Sequence, residues 1–79
     1  MKIAYEVRFT CYQYNGGGNI RNGYYPFKKP FDDLAAAQEF AEIIKKQVGE
    51  HSREFARDYV WDGFVHQFDG IYNVTEEKL

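Results

Sequence analysis

Seven phenylalanines, seven tyrosines and one tryptophan stand among 79 residues, and most crowd into the stretches 12–31 and 55–72. A chain of this length closes around a single core, and one small core cannot enclose that many large rings. Rings offer much contact area at low side-chain entropy, so those left outside form a surface suited to holding a partner. The aromatic surplus therefore points to recognition rather than catalysis.

Length predicts one domain over residues 1–79. A charged fraction of 28% and a hydrophobic fraction of 44% are too apolar for a disordered chain and ordinary for a globular one. The start, Met1-Lys2-Ile3-Ala4-Tyr5-Glu6, regains charge too soon for a secretory signal core, and no apolar run reaches membrane length, so a cytoplasmic location is expected. Cys11 is the single cysteine and falls in an alternating segment, which reads as a small buried hydrophobe. Charge is uneven. Residues 1–31 carry Lys2, Arg8, Arg21, Lys28 and Lys29 against Glu6, whereas 32–79 carry five bases against eleven acids. Two surfaces of opposite sign follow if these halves face different ways.

The period of two is clearest where Ile3, Tyr5, Val7, Phe9 and Cys11 alternate with Lys2, Ala4, Glu6, Arg8 and Thr10, the mark of a strand with one buried side. Asn15-Gly16-Gly17-Gly18-Asn19 and Asn22-Gly23 read as a hairpin loop, without the spacing of a phosphate loop. Pro26 and Pro30 confine the next strand to a sheet edge. Asp32-Asp33 then starts a helix over 33–48, in which Leu34, Ala37, Phe40, Ala41, Ile44 and Val48 form one face and Gly49 ends it. Glu42 and Lys46 are spaced to pair on its outer face. Asp62-Gly63 and Asp69-Gly70 fit hairpin turns. With both as turns, 58–61, 64–68 and 71–75 make a meander; with one as a bulge, two longer strands result. The expected architecture is α+β, an antiparallel sheet of four to five strands with one long helix on one face, in the order β-β-α-β-β with a fifth strand open.

Pairing Trp61 with Phe64 across the first turn would put Tyr59, Trp61, Phe64, His66, Phe68 and Ile71 on one side, with Val60, Val65, Tyr72 and Val74 on the other. The aliphatic set matches the helix better, so the aromatic set is the expected partner surface, with Asp58, Asp62 and Asp69 flanking it. The reverse assignment of faces stays open. His51 and His66 lack zinc-site spacing, and Asp62 and Asp69 are explained as turn residues. No nucleophile, base and orienter can be assembled, so neither an enzyme nor a metal or cofactor site is expected.

The rival reading is single-strand nucleic-acid binding by Arg8, Arg21, Lys28 and Lys29 among Tyr24, Tyr25 and neighbouring rings. An isoelectric point near 5.6 weakens the electrostatic footprint such binding needs. A small self-assembling structural subunit is a third reading, which a stable monomer would count against; the chain itself is expected as a monomer or homodimer.

A small chain with one helix on an antiparallel sheet, a glycine-rich loop and the acidic, aromatic segment Asp58-Tyr59-Val60-Trp61-Asp62-Gly63-Phe64 resembles small phage-encoded inhibitors of the anti-CRISPR type. The resemblance is one of overall style and carries over no functional residue. It implies stoichiometric binding to a host nucleoprotein effector over its DNA-engaging surface, with Asp58, Asp62, Asp69, Glu76 and Glu77 able to stand in for phosphates.

Overall fold

The central strand carries the alternation that the sequence announces. In the computed structural model, which describes residues 4–13, 23–50 and 63–79, β1 (Tyr5–Gln13) buries Val7, Phe9, Cys11 and Gln13 on one side and leaves Glu6, Arg8, Thr10 and Tyr12 on the other. Strand β2 (Gly23–Phe31) pairs antiparallel on one flank and β3 (Gly63–Asn73) on the other, giving the order β2-β1-β3. Helix α1 (Leu34–Gln47) covers the Val7–Phe9–Cys11 side with Ala37, Ala41 and Ile44.

Local chemistry accounts for the helix ends. Asp33 takes an extended conformation and its Oδ1 accepts from the Ala35 amide at 3.2 Å, a cap worth about 1 kcal/mol. At the other end Gly49, at φ +78°, supplies the left-handed residue that stops the helix, and its amide donates to the Val65 carbonyl at 2.9 Å. Val48 is therefore 39% exposed and bridges β3 through its backbone, not part of the buried stripe expected for it. The outer-face pair also differs: Lys45 Nζ, not Lys46, donates to Glu42 at 3.2 Å. Phe40 meets Phe9 and Phe31, at ring separations of 6.0 and 5.4 Å, and Phe27 stacks on Phe9 at 5.8 Å. The expected packing partner Ile3 lies outside the described residues.

Pro26 and Pro30 stand four apart in β2, so both lack a donor on the same side of the strand. That loss is cheap only at an edge, which is where β2 lies.

The expectation of four to five strands in the order β-β-α-β-β is corrected. Among the described residues the sheet has three strands and the chain order is β-β-α-β. Asp69-Gly70 is not a hairpin turn but lies inside β3. The eleven residues of β3 pair with nine of β1 because the register shifts between Cys11 and Thr10 and again between Phe9 and Arg8, leaving His66 and Asp69 without a facing partner. Each is a bulge, and each bulge resets the alternation. Val65, Phe68 and Ile71 consequently reach the same side at intervals of three, opposite Cys11, Phe9 and Val7, and pack on the core. Phe68 and Ile71 thus do not share a face with Phe64 and His66, and Tyr72 does not share one with Val65. Gly70 takes φ +119°, a conformation that side chains rarely adopt, so glycine suits the second bulge. The expected strand over 58–61 and the glycine loop before Gly23 lie outside the described residues.

Two outcomes follow. Ile44 is fully buried, so Ile44→Ala should lose roughly 2–5 kcal/mol of stability by chemical denaturation; an unchanged midpoint contradicts the assignment of this face. Burial pushes the Cys11 thiol from 9.0 up to about 11. The native state therefore holds a proton that the unfolded chain releases, so this contribution is intact below pH 9 and is lost as pH rises toward 11. Denaturation series over that window should show a downward slope in the parent that is smaller in Cys11→Ala.

Candidate partner-binding face

No described element covers the side of the sheet away from α1. Tyr12 stands at its centre because even-numbered residues of β1 point away from the helix. Cross-strand pairing brings Tyr24 to one side of it and Phe64 to the other. The Tyr12 ring meets Tyr24 edge-on at 5.0 Å and Phe64 at 5.6 Å. His66, displaced by the first bulge, lies 4.6 Å from Tyr24 between ring centres. Four rings from three strands thus form one continuous cluster, and Tyr24 leaves 60% of its surface open. Such ring pairs stabilise one another beyond their burial, which holds the cluster in shape before anything binds.

The middle of the face is polar and internally satisfied. Asp69, placed there by the second bulge, accepts from the Thr10 hydroxyl at 2.7 Å and from Gln67 Nε2 at 2.6 Å. Its carboxylate therefore fastens β3 to β1. Beyond it Arg8 lies over the Tyr72 ring at 4.2 Å, and its Nη2 donates to Glu6 at 2.8 Å and Glu76 at 2.5 Å. The hydrogen bonds to Glu6 and then Glu76 raise the guanidinium pKa further, so it is charged at every working pH. Lys28 Nζ sits 3.8 Å from the same Glu6. Arg8, Pro26, Phe27, Lys28, Asp69 and Glu76 line an open pocket of about 460 Å³.

Of the expected partner-binding residues, Phe64 and His66 meet in the aromatic cluster, Asp69 stands in the polar middle, and Phe68 is on the helix side under Lys45, whose Nζ is 5.2 Å from its ring. Asp58, Tyr59, Trp61 and Asp62 lie outside the described residues. The nucleic-acid set divides between the two faces. Arg8, Tyr24 and Lys28 share the open side, whereas Tyr25 pairs opposite buried Cys11, and Lys29 opposite Val7 with its Nζ 5.6 Å from the Phe40 ring. Arg21 is outside the described residues. The Arg8–Glu76 pair joins positions 68 apart in sequence and has no local signature.

Among the described residues no three or more histidine, cysteine, aspartate or glutamate side chains gather as a metal group, and no helix is long and apolar enough to cross a membrane. Searches against protein-family models, curated proteins and solved structures find no match to this chain.

Proposed function

We propose that the chain acts by binding another protein through the sheet face opposite the helix, with Tyr12, Tyr24, Phe64 and His66 as its anchor cluster. The observation that carries this reading is the ring cluster itself, drawn from all three strands and packed ring on ring, with Tyr24 largely open. Preformed aromatic anchors of this kind lose little entropy on binding and supply most of an interface's energy.

Charge favours a protein over a nucleic acid. Of the bases that the described residues place on this face, Arg8 is held by two carboxylates, Lys28 stands near one of them, and Lys78 lies over Gly70 beside the Tyr72 ring. A strand of phosphates would meet Glu6, Asp69 and Glu76 beside those bases, and counterion release would be correspondingly small. The resemblance to phage-encoded inhibitors makes a bacterial nucleoprotein effector the first partner class to try, with the acids at the polar end setting orientation and association rate. Binding to such an effector where it engages DNA is the mechanism proposed; no chemical step is assigned to the chain.

Affinity capture with purified nucleoprotein effectors tests the proposal, using the parent chain, Tyr24→Ala and Glu39→Ala on the exposed side of α1. Tyr24→Ala should weaken capture by about tenfold or more, the effect of losing one anchor, and Glu39→Ala should not. Equal capture by all three would remove the aromatic face from the account. A titration with labelled single-stranded oligonucleotide in rising salt separates the rival, because tight binding that falls steeply with salt would replace the protein partner by a nucleic acid.

A further inference from the structure

The segment after β3 folds back along that strand. Asn73 organises the reversal: its Oδ1 accepts from the Thr75 amide at 2.9 Å and the Glu77 amide at 3.2 Å. The Asn73 amide donates to the Glu77 carbonyl, and the Leu79 amide to the Ile71 carbonyl, each at 2.9 Å, so Lys78 bridges Tyr72. Every residue from 74 to 79 is nonetheless exposed, including Val74 and Leu79. Glu76 takes φ +69°, the left-handed region that a side chain disfavours. That strained residue is the one that reaches across to Arg8.

Arg8 is only half used by this contact. Glu6 and Glu76 both take Nη2, whereas Nε is buried and has no acceptor among the described residues. Nε and Nη2 lie on one edge of the guanidinium, and a single carboxylate set along that edge makes two parallel hydrogen bonds. A buried donor left unpaired is a standing cost that a suitable acceptor removes.

We propose that Arg8 is the receptor for a carboxylate of the bound protein, and that Glu76, with the strap that carries it, is a displaceable internal occupant of this site. The inference rests on the open face being the binding face. An aspartate or glutamate of the partner takes the Nε–Nη2 edge with two bonds where Glu76 makes one. Exchange of one carboxylate for another leaves the charge of the pocket unchanged, so Glu6 and Asp69 oppose it no more than they oppose Glu76. A phosphate dianion would add charge beside those acids, which favours the carboxylate. Release of Glu76 removes the side-chain tie of the strap to the face and leaves residues 74–79 held by a few backbone bonds to Ala4, Ile71 and Asn73 with little buried surface, so the strap opens more readily. Arg8 acts here as a binding residue and Glu76 as its competitor.

The test follows the Arg8 Nε–H resonance of the ¹⁵N-labelled full chain as N-acetylglutamic acid α-amide is added at constant ionic strength, with chloride and inorganic phosphate in parallel. The carboxylate probe should give a saturable shift that chloride does not, accompanied by faster hydrogen exchange at the Asn73 and Leu79 amides. Glu76→Gln, at an exposed position, should lower the half-saturating concentration about two- to fivefold, the scale of one exposed ion pair. A response to the probe no different from chloride, or a half-saturation unmoved in Glu76→Gln, overturns the proposal. A stronger saturable response to phosphate overturns the carboxylate assignment. The probe does not need the aromatic cluster, so failure here while Tyr24→Ala still loses capture removes the latch alone, whereas retained capture by Tyr24→Ala removes the face.

Discussion

Two unpaired residues in β3 decide what this small sheet presents on each side. Without the bulges at His66 and Asp69, strict alternation from Val65 would turn Phe68 to the open face and Gln67 and Asp69 toward α1, and the helix would meet a different set of side chains. With them, Val65, Phe68 and Ile71 face α1, while His66 joins the rings outside and Asp69 reaches Thr10. Each bulge costs a regular ladder position and returns one side chain to the open face. The Asp69 carboxylate offsets part of that cost by accepting two hydrogen bonds across the irregular stretch.

The rest follows from having one helix on the sheet. Its alanines, Ala37 and Ala41, are buried against β1, which allows close approach, and Ile44 and Phe40 fill the space that small residues leave. Hydrophobic burial is thereby concentrated on one side. The other side is held by ring contacts, an internal carboxylate and the Arg8 ion pairs. A face stabilised by its own side chains in this way is ordered without a partner, and ordering entropy is not added to the cost of binding.

Legibility in the sequence divided along physical lines. The alternation of β1, the Asp33 cap, the Gly49 stop and the edge position of the proline strand are local signals, and each corresponds to an observed feature. The bulges were harder. Asp69-Gly70 suits a tight turn and a bulge equally, since both use a positive φ, and His66 carries no local mark at all. Strict alternation from Phe64 misplaces Phe68, and reading Asp69-Gly70 as a turn pairs Phe68 with Ile71 and so carries Ile71 and Tyr72 to the wrong faces, because one register error reverses every residue after it. Phe64 and His66 were grouped correctly as neighbours, whereas the ring contacts of Tyr24 with His66 depend on pairing both outer strands to β1. The Arg8–Glu76 contact spans almost the whole chain and could not be read from spacing.

Sorting by bulges is the claim on which both the core and the proposed binding face depend, and nuclear Overhauser contacts test it most directly. Phe68 and Ile71 should show contacts to the Val7 and Ile44 methyls, and His66 to the Tyr24 ring. Contacts placing Phe68 or Ile71 beside Tyr12, or His66 beside Ile44, would mean that β3 runs in regular register, and the separation of core from binding face described here would be wrong.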